Sequence, residues 1–249
     1  MFTKEEALFY SIHYKRMQQK IKNSLNDIER ALSQDKKLYI SVSWGKDSQV
    51  VLALVSQFTK DVDVIWIDRG EGGDIESVYQ LSQEYERQGY KIHCVKTEQS
   101  IFDLYSRYSL SEIKKNKLIT KELKTTLSAV NEGYDGFFWG LRAEECYGRR
   151  KYAQVHGDEY QRKSGKIVLS PVLWWSAKDI WAYICVNNIK YNPIYDILSQ
   201  KSFDRENIRY SNWAGLVYLE NGRFCEIQRE FPELFNKLAA ICPEVRRYI

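Results

Sequence analysis

Six consecutive residues between a predicted strand and a predicted helix carry side chains suited to binding an anion. In order, they are Ser43, Trp44, Gly45, Lys46, Asp47 and Ser48. The first amides of a helix lack partners and carry partial positive charge, so a helix that starts here attracts anions. Gly45 permits a close backbone approach or a positive φ, and Lys46 adds a charge. These residue types predict a phosphate site.

The other side chains of this turn extend the same chemistry. Ser43 and Ser48 supply hydroxyl groups, and Asp47 is suited either to cap the helix or to hold Mg²⁺ through water. The turn is not a Walker A loop, because that motif needs a glycine five residues before Gly45 and Ile40 stands there. An ordinary capped turn that binds no ligand is the simpler alternative.

The hydrophobic pattern around this turn predicts strands that alternate with helices. Strands are predicted over 38–43, 62–67, 91–95, 136–141 and 170–173. Helices are predicted over 4–32, 48–58, 74–88, 177–186 and 232–241, and residues 99–130 are predicted to be mostly helical. This order predicts an α/β fold with a doubly wound, mostly parallel sheet covered by helices on both faces.

Three polar segments follow predicted strands of this sheet. They are the turn at 43–48, Asp68 and the segment from Gly140 to Arg142. Right-handed crossovers leave the carboxyl ends of parallel strands on one edge of a sheet, where ligands of such sheets bind. We therefore expect the three segments to converge on one edge.

The composition is that of a globular chain with an anionic ligand. Of 249 residues, 44% are apolar and 28% are charged, with a net charge of +4. This mild excess of positive charge does not require a nucleic acid. The five cysteines form no CxxC pair, which argues against a disulfide framework or a cysteine-rich metal site. With neither a signal-peptide pattern nor a long apolar run, a cytoplasmic location is expected.

Three segments together resemble one known family. Residues 43–48 fit S-x-G-K-D-S, residues 140–150 read GLRAEECYGRR, and residues 170–196 read SPVLWWSAKDIWAYICVNNIKYNPIYD. The first resembles the PP-loop of the adenine nucleotide alpha-hydrolase superfamily. The other two are similar to segments of the phosphoadenosine phosphosulfate (PAPS) reductase family. The resemblance departs from the usual S-G-G-x-D-S at Trp44, and it implies a Rossmann-like nucleotide-binding fold.

The resemblance implies a role for each part of the loop and of the segment that follows the second strand. Residues 43–48, Trp44 included, would bind the phosphates of an adenine nucleotide. Asp47 would be a weak ligand of Mg²⁺. Asp68 and Arg69 fall where the family places its adenosine.

The segment after the fourth predicted strand supplies the remaining candidates. Gly140 and Arg142 would face the α-phosphate or the sulfate-bearing end of the nucleotide, and Arg149 or Arg150 would clamp an anion. A guanidinium suits this task because it binds two phosphate oxygens at once. The candidate catalytic residues are therefore Lys46, Arg142, Arg149 and Arg150, while Glu144 is expected to orient Arg142.

The third segment is expected to support the site without reacting. Its large rings are predicted to pack in the core rather than against a ligand; they belong to Trp175, Trp181 and Tyr183. A turn is predicted to pack on the nucleotide edge; it contains Asn192, Pro193 and Tyr195.

The cysteines decide which chemistry the sequence favours. Sulfonucleotide reductases of the family use a cysteine in a segment such as E-C-G-[IL]-H, whereas Cys225 lies in GRFCEIQ and Cys242 in AICPEV. Without such a nucleophile the favoured function is an ATP pyrophosphatase or adenylyltransferase that uses ATP and Mg²⁺ and needs no iron–sulfur cluster. Its products would be AMP, or an adenylated acceptor, and pyrophosphate.

Two other functions stay open. One is an adenosine phosphosulfate (APS) or PAPS reductase, or a protein that binds such a sulfonucleotide, with Cys225 as the candidate thiol. The other is a non-catalytic nucleotide-binding module that interacts with a partner. The sequence does not identify the acceptor or the oligomeric state, and a homo-oligomer is compatible with the many aromatic residues.

Three regions are expected along the chain. A helical segment over 1–35 precedes a PP-loop nucleotide-binding domain over 36–196, and a C-terminal extension covers 197–249. The extension is hypothesised to select the acceptor, or to contact a partner protein or nucleic acid through Arg205, Arg209 and Arg223. Packing is the simpler role for its Trp213 and Phe224.

Overall fold

The computed structural model describes residues 3–199, 208, 215 and 224–249. Within these ranges the α-helices are α1 Lys4–His13, α2 Lys15–Leu32, α3 Lys46–Val55, α4 Glu76–Arg87, α5 Ile101–Arg107, α6 Leu110–Asn116, α7 Leu118–Glu132, α8 Tyr147–His156, α9 Ala177–Val186, α10 Ile194–Ser199, α11 Phe224–Glu230 and α12 Pro232–Ile241. The strands are β1 Leu38–Val42, β2 Asp63–Asp68, β3 Ile92–Lys96, β4 Gly136–Trp139, β5 Glu159–Gln161 and β6 Ile167–Leu169. Short 3₁₀ segments cover Ala143–Glu145 and Pro243–Tyr248.

The strands form one sheet in the order β3-β2-β1-β4-β6-β5. Strand β1 pairs in parallel with β2 and β4, and β4 pairs in parallel with β6, while β5 runs antiparallel to β6. The predicted mostly parallel α/β fold is therefore confirmed. Because β1 and β4 are neighbours, the polar segments that follow them lie side by side at their carboxyl ends.

The chain divides into two compact units. One comprises Met1–Trp66, Tyr79–His93 and Asn131–Arg209, and the other comprises Ile67–Val78, Cys94–Val130 and Tyr210–Ile249. The core of the first unit includes the buried rings predicted for it, those of Trp175, Trp181 and Tyr183. The core of the second unit includes apolar residues of α5, α6 and α12, among them Tyr105, Ile113 and Phe235.

One expectation about the elements is wrong. The strand predicted over 170–173 is a turn, in which the Leu173 amide donates to the Ser170 carbonyl over 2.9 Å, and the sheet strand β6 ends just before it. Pro171 cannot donate to a strand ladder, which explains the change. The helical structure predicted over 4–32 is confirmed as two helices, which are separated at Tyr14, where φ is −87° and ψ is 87°.

The helix α9 has the predicted bounds because its sequence carries a complete capping box. The Ser176 hydroxyl accepts from the Asp179 amide over 3.1 Å, and the Asp179 carboxylate accepts from the Ser176 amide over 2.7 Å. Of the C-terminal extension, Arg205, Arg209, Trp213 and Arg223 lie outside the described residues. Phe224 begins α11 and is fully buried, as the packing role predicts. In the described part of the chain, no helix is long and apolar enough to cross a membrane.

Candidate functional site

The loop between β1 and α3 is closed by its last serine. The Ser48 hydroxyl donates to the Gly45 carbonyl over 2.9 Å and accepts from the Ser43 amide over 3.3 Å. Ser48 is buried, whereas Ser43 is exposed. Ser48 therefore holds the backbone of the loop in shape, and the hydroxyl of Ser43 is the accessible one of the pair.

The unusual backbone geometry of the loop belongs to Trp44. Its φ is 56°, in the left-handed region, while Gly45 caps α3 with an extended φ of −74°. Of the two properties that Gly45 permits, the positive φ is not used there, and the bulky Trp44 carries it instead. The Trp44 ring is fully buried and packs against Trp66 and Tyr85, with centroid distances of 6.2 and 5.4 Å. Burial of so large a ring offsets the cost of the left-handed backbone.

A charged cluster lies at the start of α3. The Asp47 carboxylate accepts from Lys46 Nζ over 3.1 Å through one oxygen and from Arg142 Nε over 2.6 Å through the other. The side chains of Lys46 and Arg142 are 3% and 4% exposed. Two buried cations thus share the Asp47 carboxylate. Such a cluster at a helix N-terminus is suited to binding an anion.

The end of β4 approaches this helix so closely that only glycine fits at position 140. A Cβ at Gly140 would lie 2.7 Å from the amide nitrogen of Ser48 and 2.8 Å from its Cα. Real Cβ atoms do not come so close to a backbone. Gly140 thus brings the chain that carries Arg142 against the first turn of α3, as expected for two adjacent strand ends.

The turn of the third segment also reaches the loop. The Lys46 amide donates to the Tyr195 hydroxyl over 3.1 Å, and the Tyr195 ring packs on Trp181 at 5.2 Å. The Asn192 side chain forms the turn by accepting from the Ile194 amide over 2.9 Å. The sequence predicted the turn but not that Tyr195 would bond the loop. The only sequence signal for this contact was the length of the family-like segment 170–196, which includes Tyr195.

The acidic residues after Arg142 hold neighbouring groups in place. The Glu144 carboxylate accepts from Arg142 Nη1 over 3.4 Å and from the Ala177 amide over 3.2 Å, which supports its predicted orienting role. Arg142 is further oriented by the Trp175 carbonyl at 3.4 Å. Arg149 is ion-paired with Glu145 on the neighbouring turn.

Arg150 has a different setting from the other candidate arginines. It lines a cleft of about 430 Å³ between the N-terminal helices and the start of α9. Among the residues that the structure describes, none of 43–48 lines this cleft. The structure thus gathers Lys46, Asp47, Gly140 and Arg142 in one place and sets Arg150 apart.

Asp68 and Arg69 belong to the second unit. The buried Asp68 carboxylate accepts from the Gly70 amide over 2.8 Å, which shapes the turn after β2. Arg69 lines a narrow pocket with Thr97, Gln99 and apolar side chains of α5 and α7. Burial lowers the pKa of Arg69 to about 10, against the opposing effect of the Asp74 carboxylate. Their role toward adenosine remains a prediction.

The cysteines and carboxylates offer no ready metal centre. Within the described ranges, no group of three or more histidine, cysteine or acidic side chains is placed to hold a metal ion. None of the five cysteines, all of which lie in the described ranges, forms a disulfide. Cys225 is exposed, and burial raises the pKa of the Cys242 thiol. An iron–sulfur cluster therefore does not fit the described cysteines. Since both oxygens of Asp47 bind cations, Mg²⁺ would depend chiefly on the nucleotide phosphates.

Comparison with known proteins identifies a matching family and several similar proteins. Residues 37–200 match the family described as phosphoadenosine phosphosulfate reductase domain. Adenosine 5'-phosphosulfate reductase 2 of Bacillus subtilis is 25% identical over 199 residues, which cover 75% of this chain and 82% of the relative. Phosphoadenosine 5'-phosphosulfate reductase of a Synechococcus strain is 25% identical over 167 residues, or 64% of this chain and 69% of that protein.

The solved structures agree on the fold. PAPS reductase from Candida auris superimposes with a TM-score of 0.57 at 21% identity, covering 82% of this chain and 96% of that one. FMN adenylyltransferase from Candida glabrata gives a TM-score of 0.50 at 14% identity, covering 73% and 60% respectively. At these identities the likeness concerns the fold alone.

Proposed function

Because this chain belongs to the phosphoadenosine phosphosulfate reductase family, we propose that it binds a sulfonucleotide, APS or PAPS, at the loop 43–48. The observation that carries the proposal is the cluster in which Lys46 and Arg142 share the Asp47 carboxylate at the start of α3. The names of the two curated relatives reported above, an APS reductase and a PAPS reductase, support a sulfonucleotide over ATP. ATP cleavage, the function that the sequence alone favours, thus becomes the second candidate function.

In the proposed complex the charges of the loop would neutralise the phosphosulfate end. Lys46 and Arg142 are already desolvated and fixed by Asp47, so little reorganisation is needed when an anion binds. The amides at the start of α3 would add their partial charges. Ser43, whose hydroxyl is exposed, would donate a further hydrogen bond.

Reduction of a sulfonucleotide further requires a thiolate that attacks sulfur and takes over the sulfonate group as AMP or its 3'-phosphate leaves. Cys225, exposed on α11, is our candidate for that thiol. A second thiol, from a dithiol reductant, would then release sulfite and leave a disulfide.

ATP cleavage at the α-phosphate is the second candidate, and one observation favours it. The chain has no E-C-G-[IL]-H segment, whereas in-line transfer to an acceptor needs positioning and positive charge but no thiol. Lys46 and Arg142 would supply that charge next to Mg²⁺ carried by the nucleotide.

One experiment separates the candidates. The full chain would be incubated with APS, PAPS or ATP labelled at the α-phosphate, with Mg²⁺ and dithiothreitol, beside Lys46→Ala and Cys225→Ser variants. We expect the wild type to form sulfite and AMP from APS, or sulfite and adenosine 3',5'-bisphosphate from PAPS. Both variants should lose this activity. AMP and pyrophosphate from ATP, lost only in the Lys46 variant, would favour the second candidate. ADP and phosphate would contradict both.

A further inference from the structure

The cleft that Arg150 lines is a pocket of its own in the first unit. Its wall includes Arg16 of α2, Glu144, Arg150 of α8, and Trp174 and Ser176 just before α9. Its volume of about 430 Å³ lies in the range of small-molecule sites.

The acidic groups of this cleft already have partners. The Asp179 carboxylate accepts from Lys20 Nζ over 2.5 Å and from the Tyr10 hydroxyl over 2.9 Å. Glu144 is bonded to Arg142 and to the Ala177 amide. Each of these carboxylates is thus already paired with a cation other than the two arginines of the wall, Asp179 with Lys20 and Glu144 with Arg142.

The two arginines of the cleft, in contrast, have no ion-pair partner among the described residues. Arg16 and Arg150 come from different helices and line the same cavity. Both are exposed, so each can reach a ligand without breaking an ion pair among the described residues. Paired guanidinium groups bind an oxyanion such as phosphate or sulfate through two hydrogen bonds each.

Flat rings complete the wall. Trp174 is 48% exposed and Tyr14 is 49% exposed, and Tyr14 is stacked on Tyr10 at a centroid distance of 4.9 Å. Large rings left in contact with water beside a cavity are suited to stacking on a planar ligand. The cavity thus offers a cationic part and an aromatic part.

We propose that this cleft binds a second ligand, an oxyanion attached to a planar ring, which is the chemistry of a mononucleotide. Arg16 and Arg150 bind the oxyanion, and Trp174 stacks on the ring. The site does not depend on the loop for binding. It adjoins the loop through Glu144, which lines the cleft and contacts Arg142, and this makes it suited to a second substrate.

The test is calorimetric titration of the full chain with 5'-AMP. The wild type is expected to bind two equivalents of AMP, one in the cleft (the cleft equivalent) and one at the loop 43–48 (the loop equivalent). Lys46→Ala should bind only the cleft equivalent. The double variant Arg16→Gln/Arg150→Gln should bind only the loop equivalent. Loss of both arginines should weaken the cleft equivalent roughly tenfold or more. The double variant Lys15→Gln/Lys151→Gln removes two adjacent charges outside the cleft wall and should behave as the wild type.

Two further titrations test the ligand chemistry. Inorganic sulfate and adenosine should each bind the cleft more weakly than AMP, and Trp174→Ala should weaken AMP but not sulfate. Equal affinity of sulfate and AMP would overturn the ring contact. AMP binding unchanged by Arg16→Gln/Arg150→Gln, in a variant whose circular dichroism is native, would overturn the site. A single equivalent that is insensitive to Lys46→Ala but lost in the arginine variant would support the cleft and contradict the proposed loop site.

Discussion

Arg142 and Asp47 are 95 residues apart in the sequence, yet Arg142 Nε donates to Asp47 Oδ1 over 2.6 Å. The contact joins the segment after β4 to the first turn of α3. The same carboxylate binds Lys46 through its other oxygen. One acidic side chain therefore positions both cations of the candidate anion site.

Replacing this carboxylate should destabilise the protein. Asp47→Asn leaves Lys46 and Arg142 buried without their shared counter-ion, and loss of one partner from such a cluster costs about 3–5 kcal/mol of unfolding free energy. Urea denaturation measures the difference. Asp61→Asn is the matched control, because the Asp61–Lys91 pair is exposed and should contribute little. Equal losses in the two variants would contradict this account.

Adding a methyl group at Gly140 should displace the loop. In Gly140→Ala the new Cβ meets the Ser48 backbone at 2.7 Å, and overpacking of this kind costs roughly 1–3 kcal/mol. Nucleotide affinity should fall together with the melting temperature. Gly148→Ala on α8 is the control, since its Cβ meets nothing within 4 Å and alanine favours a helix. A Gly140→Ala variant with native affinity and stability would rule out the close approach.

Replacing Trp44 with the glycine that is usual in the family should lower the unfolding free energy of this protein. Trp44→Gly relieves the left-handed backbone, worth about 1–2 kcal/mol, but removes a fully buried ring, which costs about 3–5 kcal/mol. A net loss of roughly 2 kcal/mol is expected from thermal or urea unfolding. Trp44→Phe, which keeps a ring in the pocket, should lose less. A variant with glycine that is more stable than the wild type would show that strain outweighs packing.

Removing the Arg69 cation should raise stability and lower nucleotide affinity together. Burial lowers the pKa of Arg69 to about 10, so the charged form is disfavoured in the folded protein. Arg69→Met should therefore raise the unfolding free energy, by on the order of 1 kcal/mol. Arg87→Met removes an exposed arginine and should change neither quantity. Unchanged nucleotide affinity in Arg69→Met would contradict the expected role of Arg69 toward adenosine.

Stability should depend on pH through Asp179. Burial alone would raise the pKa of Asp179, but hydrogen bonds from Lys20, the Ser176 amide and Tyr10 outweigh it, so the pKa is lowered. A carboxylate with a lowered pKa stabilises the fold above its ordinary value near 3.8, and that contribution is lost as pH falls through the folded pKa. Asp179→Asn should be less stable than the wild type at pH 7, and the gap should narrow toward pH 3. A gap independent of pH would contradict this assignment.

Local pattern was sufficient for most of the elements. The alternation of strands with helices follows from hydrophobic periodicity, and the bounds of α9 follow from its capping box. The sequence missed two points at which one residue changes the backbone. Pro171 ends the strand early, where a strand was predicted, and Tyr14 separates the two helices of the helical segment 4–32. Both effects depend on the backbone geometry of a single residue, which the spacing of apolar residues does not reveal.

By itself, the sequence determined the α/β fold and the family, because short-range pattern and motif spacing encode them, and it predicts an anion site at 43–48. Only the tertiary structure decided how the charges are shared. In the structure, the Asp47 carboxylate contacts both Lys46 and Arg142, the Trp44 backbone lies in the left-handed region, and Arg150 lines a separate cleft. The physical reason is that each of these depends on groups brought together across the sheet and between helices, where packing and charge pairing act regardless of sequence distance.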